Sequence, residues 1–239
     1  MKLKTLLLTI GVALTSAQTI ADDGILRGKV GISNNSFDSI WSGGDMSADY
    51  QALNVGLTYV TSSMYYADLG LKKSLGSDWE YSDEFGSIEE DYDRTDYTLT
   101  LGKVLNNGIQ VFGGYQNSSA TMDLPAEFFS VPDEKIKITG FFVGIGKSFT
   151  FDNASLNLNF AIGKMDGKLT DAAGIENDSG DGSGNSFGAT YTYFLSDAST
   201  ISVEFKQQKY SYTYDNSDII LTAGDDKVSM LGINYNRTF

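Results

Sequence analysis

The sequence predicts an all-β chain that forms a transmembrane antiparallel up-and-down β-barrel of about ten strands. Three features predict it: apolar and polar residues alternate with a period of two, connectors alternate between tight and long, and the chain begins like an exported protein. Eight and twelve strands are the alternative counts. No stretch after residue 21 keeps a 3.6-residue apolar period, so we predict no helix there.

Residues 1-21 predict a signal peptide. Two lysines come first, a mostly apolar run from Thr5 to Leu14 follows, and small and polar residues end the segment. The apolar run is too short to cross a bilayer as a helix, which needs about 20 residues. We expect cleavage after Ala21, or alternatively after Ala17. Residues 22-239 then form a single exported domain.

Charge and composition exclude several classes of protein. The formal charge is -14, and it becomes -16 when the two lysines of the signal peptide are removed. Such an acidic chain is unsuited to nucleic acid, which needs clustered cations. The absence of cysteine excludes disulfides and thiolate metal sites. The 26 glycines and 28 Tyr and Phe residues (14 of each) suit a chain of many strands.

Strands and connectors follow from the alternation and from turn residues such as Asn-Asn-Gly. We predict strands near 25-32, 50-60, 65-72, 95-104, 109-119, 138-150, 155-165, 186-195, 200-212 and 228-239. The tight connectors are 61-64, 105-108, 151-154 and 196-199, and the long polar ones are 33-49, 73-94, 120-137, 166-185 and 213-227. Short turns at one rim and long loops at the other are typical of outer-membrane barrels.

Each strand separates an apolar face from a polar face. In NVGLTYV (54-60), Val55, Leu57 and Tyr59 alternate with polar or glycine residues, and 97-103, 156-163 and 187-195 repeat the pattern. A soluble β-sandwich would turn the apolar face inward. The connectors and the signal peptide favour the opposite arrangement, in which lipid covers the apolar face.

Two features depart from the simple alternation. In 201-214, the apolar residues up to Phe205 hold odd positions whereas the tyrosines from Tyr210 onward hold even ones. Either a β-bulge near Gln207 shifts the phase, or these tyrosines turn inward above the membrane. Lys103 and Lys147 fall on the apolar face near the tight turns, where we expect them to reach lipid headgroups.

The last strand carries a resemblance to a known family. Its apolar residues alternate and it ends in an aromatic residue; these residues are Leu231, Ile233, Tyr235 and Phe239. In this respect the mature chain resembles the small outer-membrane β-barrel proteins of Gram-negative bacteria. The resemblance implies an outer-membrane location, contact with membrane lipid and lipopolysaccharide, and recognition of this strand by the barrel-assembly machinery. Arg237 departs from the family pattern.

The sequence predicts no enzyme, catalytic residue or cofactor. Histidine is absent, and the phospholipases, lipid A deacylases and omptin-like proteases among these barrels rely on one. Acidic residues are concentrated in 77-94 and 176-185. They are either solvated surface charge or a site for Ca²⁺ or Mg²⁺ shared with lipopolysaccharide phosphates; we predict no protein metal centre, since the second segment lacks the closing Glu of a calcium loop.

Several charged residues fall on the inward face of the predicted strands. Because strand ten closes onto strand one, we expect them to form an ion-pair cluster in the lumen. The residues are Arg27, Lys29, Asp68, Lys72, Asp96, Glu204 and Lys206. The cluster either fills and stiffens a narrow lumen or lines a path for small ions.

Three functions remain open from the sequence. The first is a non-enzymatic outer-membrane barrel with long acidic extracellular loops and a structural or surface-interaction role. The second is a narrow, cation-preferring channel. The third is a soluble secreted β-sandwich that binds a ligand.

Overall fold

The structure, a computed structural model, describes residues 24-41, 44-83, 86-122, 134-170, 176-214 and 223-239. The predicted signal peptide lies outside these residues. No helix in the described part is long and apolar enough to cross a membrane. The strands are β1 (Gly24–Trp41), β2 (Gly44–Thr61), β3 (Tyr65–Ser74), β4 (Ser77–Asp83), β5 (Gly86–Val104), β6 (Ile109–Met122), β7 (Glu134–Thr150), β8 (Ala154–Thr170), β9 (Glu176–Ser196), β10 (Ser199–Tyr214) and β11 (Ala223–Thr238).

These strands close into an antiparallel barrel with ten positions in its wall. β1 pairs with both β2 and β11, which joins the two ends of the sheet. β3 and β4 share one position, because each pairs with β2 on one side and with β5 on the other. The prediction of an all-β up-and-down barrel of about ten strands is therefore confirmed.

A short break separates β3 from β4. Gly76 has a φ of 100°, which favours glycine because a Cβ atom would be strained there. The backbone N–H of Leu75 donates to the carbonyl oxygen of Gln51 at 2.8 Å. The wall thus stays bonded to β2 through the break.

Tight turns connect the strands at one end of the barrel, as the sequence predicts. In the turn between β5 and β6, the N–H of Gly108 donates to the carbonyl oxygen of Leu105 at 2.8 Å. The N–H of Phe151 similarly donates to Ala154 between β7 and β8, also at 2.8 Å. We call this end the turn end, and the other the far end.

An exposed apolar belt surrounds the barrel near the turn end. Large apolar side chains point outward from every position of the wall. They include Ile32, Leu57, Leu69, Leu99, Val111, Val143, Ile162, Phe187, Val203 and Ile233. An outward apolar ring over a polar interior is the arrangement that hydrocarbon stabilises.

Beyond the belt, toward the far end, the two faces exchange character. Phe37, Tyr50 and Ile138 point inward and are buried, whereas Asp49 and Lys137 point outward and are exposed. A tilted strand needs about 9-11 residues to cross a bilayer, and β8 has 17. The strands are therefore long enough to continue as a second barrel section, with an apolar interior and a polar exterior. We call it the far section.

The prediction of long loops is wrong for much of the chain assigned to them, because these residues form strands. Residues 33-41 and 44-49 belong to β1 and β2, and most of 73-94 belongs to β3, β4 and β5. The reason is the exchange of faces, because outward polar residues in this section resemble loop composition when a membrane strand is expected.

Tyr210 settles the interpretation of the segment 201-214. The pairing of β9 with β10 shifts register only at Ser199/Thr200, with no bulge near Gln207. Tyr210 points inward and is 2% exposed. The inward interpretation is correct for this residue.

Candidate functional site in the barrel lumen

A layer of apolar side chains crosses the lumen in the far section. We call it the seal layer. Its buried members come from eight of the described strands: Phe37, Ala48, Tyr50, Ala52, Tyr92, Ala120, Ile136, Ile138, Met165, Tyr210 and Val228. The rings of Phe37 and Tyr92 stack with centroids 5.9 Å apart, and Tyr50 lies 5.3 Å from Tyr92.

Hydrogen bonds join opposite walls just beside the seal layer. Gln116 on β6 donates through Nε2 to the Tyr210 hydroxyl on β10 at 2.8 Å. Gln208, also on β10, donates to Gln116 Oε1 at 2.9 Å. β6 and β10 lie four strand positions apart, so these bonds span the lumen rather than neighbouring strands.

A buried charge network lies next to the same layer. Arg94 donates through Nε to Asp96 at 2.9 Å, and Lys72 Nζ lies 2.8 Å from the other Asp96 oxygen. The Arg94 guanidinium also lies 5.5 Å from the Phe37 ring centroid. One carboxylate is thus the shared counter-ion of two cations that have little access to water, and the three groups together carry a net charge of +1.

Asp226 is a titratable group within the far section. Its carboxylate accepts a hydrogen bond from the Ser39 hydroxyl at 2.5 Å. Burial raises the pKa of Asp226 to about 6, although this hydrogen bond and nearby Arg94 oppose the change. At the same pH, Asp226 is therefore protonated to a greater extent in the folded protein than in the unfolded chain.

A polar cavity of about 350 Å³ lies between the seal layer and the turn end. Tyr210, Val228 and Met165 from the layer line one side of it. Amide and hydroxyl side chains such as Asn159 and Thr98 line the rest, together with charged groups. This volume is large enough for several water molecules or one small solute.

Six of the seven predicted lumen charges line this cavity. Lys29 and Glu204 form an ion pair at 3.7 Å, and Lys72 and Asp96 form the one described above. Asp68 accepts a hydrogen bond from the Thr58 hydroxyl at 2.5 Å. Lys206 lines the cavity but takes part in neither ion pair. Arg27 is exposed at the turn end of β1, outside the cavity.

Arg94 lies at the centre of the network but is not among the lumen residues that the sequence predicts. It falls at the end of the predicted acidic loop 77-94, whereas in the structure it belongs to β5. Arg94 shares its parity with Asp96, and extending that alternation by two residues would have placed it in the lumen.

The remaining predicted residues lie on the outer surface. Of the residues proposed for assembly, Leu231, Ile233 and Tyr235 point outward and are exposed, and the N–H of Phe239 donates to the Leu26 carbonyl at 2.9 Å. Lys103 stacks on the Tyr65 ring, 4.4 Å from its centroid, at the turn end.

The acidic residues of 77-94 are only partly described. Asp78 on β4 and Asp91 on β5 are exposed and directly opposite each other. No group of three or more described His, Cys, Asp or Glu side chains is arranged to hold a metal ion. The divalent-cation interpretation therefore stays a prediction that involves residues outside the described ranges.

Comparisons with known proteins show which solved structures have a similar fold. No family model matches the sequence, and no curated protein matches it. The structure is similar to the outer membrane protease OmpT from Escherichia coli, with a TM-score of 0.59 and 10% identity over 92% of this chain and 98% of that one. The translocator domain of the autotransporter NalP from Neisseria meningitidis has a TM-score of 0.50 and 10% identity, covering 97% and 95% of the two chains. The chain has the fold of the Gram-negative outer-membrane β-barrels.

Proposed function

We propose that the protein is a non-enzymatic outer-membrane barrel whose lumen is closed in the far section, with a structural or surface-interaction role. The seal layer carries this proposal. Its stacked rings and the Gln116 bonds to β10 cross the lumen, so a hydrated ion would have to displace packed side chains. The apolar belt supports the membrane location.

Planar-bilayer conductance tests the closed lumen. The refolded protein is expected to give no discrete current steps. The double substitution Phe37→Ala and Tyr92→Ala removes two stacked rings and is expected to produce steps. Leu57→Ala and Leu99→Ala truncate two apolar side chains on the outer surface instead and are expected to give no current steps.

Folding must be established separately for each variant. The heat-modifiable gel shift shows whether the barrel has formed before currents are compared. Regular current steps from the folded wild-type protein would contradict the closed lumen.

A narrow channel is the second candidate. The polar cavity and its charged lining favour it, because they extend from near the turn end as far as the seal layer. In that case wild-type currents would be selective, and substitution of Glu204 by Gln would change the cation-to-anion permeability ratio.

The absence of catalysis is also part of the proposal. The lumen carboxylates that make ion pairs, Asp96 and Glu204, are held by lysine or arginine rather than poised for proton transfer. The E. coli protein of similar fold is an outer membrane protease. Fluorogenic peptide cleavage by the refolded chain is therefore a fitting test, and we expect none above the buffer rate.

A further inference from the structure

The polar cavity carries an excess of positive charge, although the chain as a whole has a formal charge of -14. Three lysines and three carboxylates line it: Lys29, Lys72, Lys206, Asp68, Asp96 and Glu204. The Arg94 guanidinium lies beside the cavity and shares Asp96 with Lys72. Asp226 is bonded to Ser39 beyond the seal layer and does not line the cavity. The four cations therefore exceed the three carboxylates by one charge.

Lys206 is the cavity cation that the carboxylates leave unpaired. Glu204 forms an ion pair with Lys29 at 3.7 Å. Asp96 is held by Lys72 and by Arg94. Among the described side chains, none forms an ion pair or a hydrogen bond with Lys206 Nζ. A cation inside the barrel without a counter-ion is costly, and a bound anion would supply one.

The charges around Lys206 indicate where such an anion would lie. Of the charges that act on Lys206, the like charge of Lys72 has the largest effect. The two lysines come from β10 and β3 and both line the cavity. An anion between their ammonium groups would replace one repulsion by two attractions.

Neutral hydrogen-bonding groups surround these lysines. In the register of β8, β9 and β10, Gly188 lies between Asn159 and Lys206. A Cβ atom at Gly188 would lie 2.6 Å from the Asn159 Oδ1 atom, so the glycine leaves room for this amide next to Lys206. The hydroxyl groups of Thr98 and Thr190 also line the cavity. Amides and hydroxyls both donate and accept hydrogen bonds, which suits an anion that carries hydroxyl groups of its own.

The cavity lies within reach of the turn end. Gln110, one residue after the start of β6, is part of its lining. The seal layer bounds the cavity on the other side, through Tyr210 and Val228. Tight turns face the periplasm in outer-membrane barrels, so a solute would enter from that compartment. The volume of about 350 Å³ limits it to one small molecule.

We propose that the polar cavity binds a small hydroxy acid as a monoanion, with its carboxylate between Lys206 and Lys72. The two ammonium groups donate hydrogen bonds to the carboxylate oxygens. The hydroxyl groups of the ligand bond to Asn159 and Thr98. Its single negative charge balances the excess charge of the cavity. This inference rests on the closed lumen proposed above, because the seal layer keeps the anion bound instead of letting it pass.

Isothermal titration calorimetry with sodium gluconate tests the inference on the full mature chain refolded in a neutral detergent. Gluconate is expected to bind the wild type, whereas sorbitol, which has the same number of carbon atoms and no charge, is expected not to bind. Lys206→Gln should bind gluconate about tenfold more weakly or worse, because it loses a charged hydrogen bond. Lys103→Gln removes a lysine from the outside of the turn end and should bind as the wild type does.

A second measurement separates binding from folding. Lys206→Gln should still form the heat-modifiable barrel, because it removes a repulsion with Lys72. Gluconate should raise the urea midpoint of the wild type, since a ligand that binds only the folded state stabilises it. The midpoint of Lys206→Gln should not respond.

Each contrary result has a distinct meaning. No gluconate binding to the wild type, or equal affinity in Lys206→Gln, would overturn the inference. Equal binding of sorbitol would overturn the requirement for an anion. Displacement of gluconate by sodium chloride at equal concentration would overturn the assignment to a hydroxy acid in favour of a halide. Failure of the proposed function would show separately, as current steps from the folded wild-type protein.

Discussion

Removing the carboxylate shared by Arg94 and Lys72 should destabilise the barrel more than removing one of the cations. Asp96 accepts from Arg94 at 2.9 Å and lies 2.8 Å from Lys72. Asp96→Asn leaves both cations without their shared anion beside the seal layer. Leaving a buried charge uncompensated costs about 3-5 kcal/mol, and the partial exposure of Lys72 to the cavity puts our expectation near the lower end.

Arg94→Met is the matched comparison. It keeps much of the side-chain volume of Arg94, which is 2% exposed, and leaves Asp96 paired with Lys72. Because Lys72 remains as the counter-ion of Asp96, this variant leaves no buried carboxylate uncompensated and also removes the desolvation cost of the guanidinium, so we expect a loss of about 1 kcal/mol or less.

Urea-induced unfolding of the refolded protein in lipid vesicles, followed by tryptophan fluorescence, measures both free energies. The same slope against urea for the variants and the wild type would show that the extent of unfolding is unchanged. A loss for Arg94→Met equal to or larger than that for Asp96→Asn would refute the account of the network.

Two further predictions concern titration and packing. The pKa of Asp226 rises from 3.8 to about 6 on folding. The free energy of unfolding should therefore fall by about 3 kcal/mol at most as pH rises from about 4 to 6. Urea titrations at several pH values should show this decrease in the wild type and not in Asp226→Asn. Gly144→Ala should cost about 1-3 kcal/mol, because its Cβ would lie 2.6 Å from the Phe160 carbonyl oxygen, whereas Gly70→Ala, whose nearest neighbour is 3.9 Å away, should be nearly neutral. Equal losses in the two glycine variants would show that close packing at Gly144 is not what matters.

The membrane section of the barrel could be predicted from the sequence because lipid and lumen impose opposite requirements on neighbouring residues. Leu99 and Thr98 illustrate this, since one is exposed on the belt and the other lines the cavity. The tight turns were equally predictable, because the local chemistry of Asn-Asn-Gly determines them.

The far section was not predictable by the same reasoning. In that section water rather than lipid covers the outside of the barrel, so polar residues face outward and apolar residues face inward. The period of two residues is unchanged. Ile136 and Ile138 are buried in the lumen although a membrane strand of that parity would be polar. For the same reason the sequence pattern predicts a loop at Arg94 and does not reveal the centre of the candidate site. The many acidic residues of the segment 77-94 predict a loop, although most of the segment forms β4 and β5.

The central claim is that each position of the barrel wall faces lipid in one section and water in the next. Spin labels on single cysteines test it directly, because the chain has no cysteine of its own. In vesicles, a label at Leu99→Cys should be accessible to oxygen and protected from a water-soluble nickel complex, whereas one at Asp93→Cys, six residues away on the same face of β5, should show the reverse. Equal nickel accessibility at both positions would contradict the account.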